Sequence, residues 1–409
     1  MREHRGASGS ASPLRSARRR RWLASALGVA SGAVLLPRAL AAQDASASKP
    51  IPPAPSPRYV TTARLGVDDH RLVLLDERGQ VLHQQPLPAR AHGAATLGKR
   101  GLGCVFARRP GNWFCALDAR RPDTLHTVAA LPGRRFSGHG VYSLSGSRLY
   151  TTENDIDRQR GVIGVYDVDD GYRRVGEFDS GGIGPHELIR LRGTDRLVVA
   201  NGGIATHPDV GEGREPLNLA DMAPSLAVID GRDGRGESQH RLPDARHRIS
   251  LRHLTADAGG RVWYAGQYGR LADDDRPLPV DDTQALAGSM TLGNHARTGR
   301  HRALQPLALP DDLLPRHQGY LSSVASAGED VLYTAARDGV AFAIDAKRRQ
   351  LVDRQPFMDC SGVAHDAQGG YVVSSGTGEL ARLSSDGRWL DREPLAMTAF
   401  RWDNHLCAF

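Results

Sequence analysis

Four cysteines in 409 residues, an aromatic content of 6 % and no long helical period after residue 45 set the first limits on this chain. There is no CxxCH, which argues against covalent haem of the c type, and the four cysteines form no metal-cluster spacing. A Walker motif, a nucleophile elbow and HExxH are likewise missing, so three common catalytic frameworks are set aside. What remains is a chain with 46 glycines. Short runs of Val, Thr, Tyr and Leu are broken by Asp-Gly, Gly-Ser and Pro-Gly pairs, a pattern of strands and turns. At this length the chain is two or three average domains, or one large all-β domain with a repeated plan.

The mature chain also lacks net charge. Residues 1–43 hold eight Arg and one Glu, so of 53 basic and 46 acidic residues the remainder keeps 45 of each. That balance gives no drive towards nucleic acid or anionic lipid, and neither is expected as a partner. Residues 1–42 have a basic start, a modest apolar run too short for a membrane span and a small-residue end, the pattern of an export signal. Arg19-Arg20 followed by Arg21-Trp22-Leu23 resembles the twin-arginine type, although Arg18 stands where Ser or Thr is usual. Cleavage after Ala41 is expected, with no membrane span afterwards and a periplasmic location. Residues 43–57, QDASASKPIPPAPSP, form a Pro/Ala/Ser linker. Residues 58–409 are then the folded domain.

In that domain a four-strand plan recurs. In residues 136–179 the strands are HGVYSL, RLYTTEN, IGVYDV and YRRVGEFD, and the next unit begins at His186 with HELIRL and RLVVANG. Units lead off at His92, His139, His186, His253, Tyr320, Cys360 and His405, with spacings of 47, 47, 67, 67, 40 and 45. Insertions at 203–223 and 268–286 explain the two long spacings. The chain ends on one unpartnered strand, AFRWDNHLCAF, and starts with three that lack an inner partner, RYVTTARL, RLVLLDE and VLHQQPL. Joining them predicts an all-β, seven-bladed β-propeller closed by its C-terminal inner strand, with no open sheet edge at the seam.

On this plan the seven leading residues meet at the mouth of the central channel, and five are histidines. His92, His139, His186, His253 and His405 are candidate metal ligands for Fe, Cu or Zn, because imidazole suits these ions. The alternative is that each imidazole bonds a loop carbonyl and seals a blade junction. A second tier at the ends of the second strands comprises Glu153, Asn154, Asn201, His207, Gln267, Arg337-Asp338 and Ser374-Ser375, which orient ligand histidines, contact a bound substrate or cap loops. Glu153 and Glu187 are the candidate bases should the site be catalytic. Arg135 and Arg252 stand beside leading histidines, where they clamp an anion or pair with Glu187 or Asp179. Tyr320 and Cys360 take the remaining leading positions, Cys360 as a soft ligand or free thiol. Trp402 is either a stacking platform at the mouth or a buried wedge between blades. The loop 203–223 is long enough to act as a lid. Cys104 and Cys115 flank a hairpin symmetrically about Arg109-Pro110, so a disulfide between them is expected after export, while Cys407 reads as core.

These stretches carry a resemblance. FSGHGVYS, LYTTENDIDRQRGVIGVYD, GIGPHE, VANGGIATHP, LNLADMAPSL, LRHL and WDNHL resemble an uncharacterised family of bacterial periplasmic proteins with twin-arginine signals, over nearly the whole mature chain. The resemblance implies a seven-bladed propeller with WD40- or YVTN-like repeats, of the broad quinoprotein-like class. It also implies genes near imelysin-type and di-haem peroxidase-like proteins, hence iron acquisition and periplasmic redox or iron-uptake partners, but no activity. The family's recurrent motifs fall here on His139, Glu153, Asn154, His186, Glu187, Asn201, His207, His253 and His405; Cys360 and the Cys104/Cys115 pair match none. Three classes follow: a metal-binding protein, which is preferred, a metal-dependent enzyme (a lactonase-like hydrolase or an oxidoreductase), and a scaffold for a partner protein.

Overall fold

The computed structural model of the protein describes residues 57–271, 273–292, 302–314 and 318–409. The signal expected at 1–42 and all but the last residue of the linker lie outside them. Seven antiparallel sheets follow one another as blades, numbered here by their inner strands: Ala91–Leu97, Arg134–Tyr142, Pro185–Arg190, Ile249–Ala256, Ser323–Ala327, Cys360–His365 and Arg401–Ala408 for blades 1 to 7. Blade 7 joins the two ends of the domain. Arg401–Ala408 pairs antiparallel with Tyr59–Arg64, followed by His70–Leu75 and Val81–Pro86. Phe409 donates its N–H to the carbonyl of Arg58 at 2.9 Å, which finishes the seam. The ring therefore closes as the sequence predicts, without an unpaired inner edge.

Blades 3 and 4 depart from the plain plan. After Ala287–Thr291 the chain adds Arg302–Ala303 as a parallel fifth strand to blade 3, then Gln305–Pro306 as the outer strand of blade 4. The long spacing between His253 and Tyr320 is thus partly strand. Tyr320 itself lies ahead of the blade 5 inner strand, which starts at Ser323, and bridges back to Gln267 of blade 4. The expected start of that strand was three residues early.

Alternation of apolar and small residues along the strands places the core between blades. Phe106 and Phe114 of blade 1 meet Phe136 and Tyr166 of blade 2, with Phe114 edge-on to both at 5.5 and 5.2 Å. Such edge-to-face pairs add about 0.5–1.5 kcal/mol to the gain from burial alone. Trp402 is 3 % exposed, packs on Phe400 at 5.0 Å, and shares a cluster with Ala364, Val372 and Leu380 of blade 6. It is the inter-blade wedge and not a platform at the mouth.

Candidate functional site

The inner strands lose their regular pairing at the level of the histidines, as the blade 6 inner strand also does between Cys360 and Val363. Register breaks between Ala91 and Ala94, Phe136 and Gly140, Pro185 and Leu188, and Leu251 and His253, and on the blade 7 inner strand between Trp402 and Leu406. A bulge turns the local side chain out of the sheet's alternation, here towards the channel axis. Glycine makes room for two of these bulges to touch. A Cβ on Gly93 would fall 2.8 Å from His139 Nδ1, and one on Gly138, whose φ is +107°, would fall 2.6 Å from His92 Cδ2.

The five imidazoles consequently pack on one another. Ring centroids of His92 and His139, His139 and His186, His186 and His253, His253 and His405, and His405 and His92 are 4.6–5.0 Å apart. All five are buried, and burial holds each below the usual histidine range; His253 falls to about 3, with Arg252 adding to the effect. They are therefore neutral at pH 7, the form in which imidazole offers a lone pair to a metal.

Two overlapping sets of ring nitrogens, His92/His139/His186 and His139/His253/His405, each lie within 4.8 Å. They are chemically unequal. His186 Nδ1 is 3.4 Å from the Arg252 guanidinium, which can only donate, so that nitrogen is an acceptor and the proton sits on Nε2. That proton points at His92 Nε2, also 3.4 Å away, so this pair of nitrogens is engaged, while His92 Nδ1 has no partner among the described residues. In the second set, His253 Nδ1 donates to Glu187 Oε2 at 3.2 Å, leaving Nε2 with its lone pair. His139 Nδ1 lies 3.7 Å from Glu187 Oε1, and Nε2 of both His139 and His405 has no partner among the described residues. Burial raises the Glu187 carboxyl, offset by His139 and by the Leu254 N–H that donates to it at 2.9 Å. A carboxylate behind imidazoles whose inner nitrogens are free is the arrangement that orients histidine ligands.

Above the imidazoles opens a basin of about 1210 Å³, with His92, His186 and His253 in its lining. It lies on the face expected from the topology, and parts of both insertions wall it, Ile204 and Arg214 from one and Tyr268 from the other. Of the second tier, Gln267 and Arg337 line this basin with Tyr320 and Arg252; Arg337 covers the Tyr320 ring at 4.8 Å. Asn154 touches it indirectly by donating to Ser137 at 2.9 Å.

Other candidates lie elsewhere. Glu153 is enclosed in blade 2, accepting from Thr151, Tyr166 and Arg174 at 2.8–3.0 Å, and is a structural carboxylate. Asn201 donates to the Ser180 carbonyl at 2.8 Å and caps its loop. Arg135 donates to the Arg134 carbonyl at 2.8 Å, and His207 stands beside Asp209. Cys360 is packed in the core of blades 5 and 6, its thiol pushed up to about 12 by burial, so it is no soft ligand at the axis. The expected disulfide is not formed. Cys104 opposes Ala116 while Val105 opposes Cys115, so the two thiols lie one register step apart on opposite faces of the sheet; Cys104 contacts Tyr142 Oη and Cys115 contacts Thr127. Reasoning on the sequence missed Arg108, Arg109 and Arg214, which also line the basin. Arg108-Arg109 holds the same hairpin position in blade 1 as Arg337 in blade 5, and that equivalence was the available signal.

Fold and site together define a seven-bladed propeller with a buried cluster of histidines on its axis. The chain belongs to the family described as "Protein of unknown function (DUF1513)", which it matches over residues 85–409. No curated protein matches it. Among solved structures it is similar to a chain of hydrazine synthase from Kuenenia stuttgartiensis, with 13 % identity and a TM-score of 0.53 over 87 % of this chain and 99 % of that one. A chain of the mitotic checkpoint complex gives 12 % identity and a TM-score of 0.51 over 88 % of each. Likeness at this level supports the fold alone. Among the described residues no helix is long and apolar enough to cross a membrane.

Proposed function

We propose that this protein is a periplasmic, twin-arginine-exported metal-binding propeller that holds one first-row transition-metal ion, Fe, Cu or Zn, on His139, His253 and His405. The observation that supports this reading is the pair of orphaned buried nitrogens, Nε2 of His139 and Nε2 of His405, beside His253, whose other nitrogen is tied to Glu187. Burying a polar nitrogen without a partner costs about 1–3 kcal/mol, and two at one spot are an arrangement that a bound cation relieves. Metal handling, with a periplasmic redox or iron-uptake protein as partner, fits better than turnover. A metal-dependent hydrolase needs a base free to take a proton from the reacting water, whereas Glu153 is tied to Thr151, Tyr166 and Arg174 and Glu187 to His253 and the Leu254 N–H.

The test is uptake by chelator-treated protein. Calorimetric titration with Zn(II), Cu(II) and Fe(II) should give one tight site for at least one of these ions, with a rise in Tm. His139→Ala with His253→Ala should abolish both while leaving the far-ultraviolet spectrum unchanged. Wild-type protein that takes up none of the three ions contradicts the reading and favours a scaffold role.

A further inference from the structure

The basin above the histidines is walled by five arginines that, among the described residues, stand in no ion pair, although Asp403 and Asp338 lie near enough to Arg108 and Arg337 to act on their charge. Arg108 and Arg109 come from the hairpin of blade 1, Arg214 from the blade 3 insertion, Arg252 from the blade 4 bulge and Arg337 from the blade 5 hairpin. Burial, with the like charges of Arg252, Arg214 and Arg108 around it, lowers Arg109 to about 9; Arg108 falls to about 10 through burial and the like charges of Arg90 and Arg214, offset by Tyr320 and Asp403. Arg252 is 6 % exposed, and its Nε has no partner among the described residues. The acids that share the lining stand on the two insertions, and of these Asp274 is bound to Arg276.

Clustered like charges with unfilled donors destabilise an empty pocket and favour an occupied one. Guanidinium forks match carboxylate oxygens in bidentate geometry. Because the five arginines come from four blades, their charge is spread around a wide cavity. A compact anion would meet one or two of them, whereas a molecule with several separated carboxylates meets more. The uncharged groups between them, Gln267, Tyr320 and Asn404, supply hydrogen bonds for hydroxyl or carbonyl groups on such a ligand. We infer that the basin is a binding site for a small organic polycarboxylate, held by the arginines of blades 1, 3, 4 and 5 against the histidine floor.

This inference does not rest on the metal reading, and its test is done without metal. Chelator-treated, dialysed protein is titrated with citrate, with tricarballylate, which lacks the hydroxyl and chelates weakly, and with phosphate. Both tricarboxylates should bind in 1:1 ratio, more tightly than phosphate, and more weakly as salt rises. Arg108→Gln with Arg109→Gln should weaken citrate by roughly a hundredfold, about tenfold for each guanidinium–carboxylate pair removed. Since these arginines repel one another, the variant should melt no lower than wild type, which separates impaired binding from impaired folding. Arg401→Gln, at an exposed arginine outside the basin, should bind as wild type does. Absence of tricarboxylate binding, binding no tighter than that of phosphate, or affinity unchanged in the double variant would each overturn the proposal.

Discussion

Blades 2 and 5 meet their neighbours through the same bond but present different residues to the axis. In blade 2, Thr152 Oγ1 donates to the carbonyl of His186 in blade 3 at 2.9 Å. In blade 5, Thr334 Oγ1 donates to the carbonyl of Ser361 in blade 6 at 2.8 Å. The seal between blades is thus a threonine hydroxyl on a main-chain oxygen, and it works as well over Ser361 as over His186. Imidazole is not needed for it. In the five histidine-bearing blades the rings instead contact one another, Glu187 and Arg252, so the alternative in which each histidine bonds a loop carbonyl to seal a junction is not what the contacts describe.

This contrast can be broken in several ways. The largest effect is expected at Gly138, whose positive φ and approach to His92 leave no room for a side chain. Gly138→Ala should displace the blade 2 bulge, lower Tm and abolish metal uptake, whereas Gly369→Ala in blade 6, also at positive φ but with open space around it, should lower Tm only modestly. Next, Glu187→Gln should weaken metal binding by about 10- to 100-fold while keeping the far-ultraviolet spectrum, as loss of a carboxylate behind ligand histidines does elsewhere; Cys360→Ser, in a blade without an axial histidine, should leave affinity unchanged. Thr152→Val and Thr334→Val should each cost about 1–3 kcal/mol by denaturant unfolding, because each leaves a buried carbonyl unsatisfied. Similar costs would support one seal in both kinds of blade, with some excess expected at Thr152, whose hydroxyl also reaches the His139 carbonyl at 3.2 Å; a negligible cost at either would contradict it.

A further effect is in pH. A buried histidine held below its unfolded value of 6.5 binds fewer protons folded than unfolded, so its contribution is complete above pH 6.5 and is lost as pH falls below it. For His253 the loss continues to about pH 3. Metal-free protein should therefore show a falling Tm from pH 7 to pH 5, and the His139→Ala/His253→Ala variant a shallower fall.

How much of this was readable in advance follows from what strand alternation can and cannot fix. Repeats of turn signals at regular spacing located the seven blades, and the count of unpartnered strands at the two ends located the seam. The five histidines were visible because they share one position in the repeat. Glu187 was not placed correctly, since its partners His139 and His253 lie on the blades before and after its own and only the closed ring brings them together. Glu153 looked equivalent to other strand ends, but Gly164 opposite Thr151 vacates the space in which its carboxylate meets Tyr166 and Arg174. The cysteines failed by a single residue. Symmetry about a turn suggests facing partners, yet the pairing of Val105 with Cys115 shifts the register by one and sends the thiols to opposite faces. Tyr320 was displaced because the insertion before it bridges back to blade 4 instead of leading directly into a strand.

The most direct measurement is elemental analysis by mass spectrometry of the mature protein, purified from its native compartment without a histidine tag. Close to one Fe, Cu or Zn per chain is expected, and none in the His139→Ala/His253→Ala variant. Metal-free wild-type protein, or a metal content that survives loss of both histidines, would contradict it.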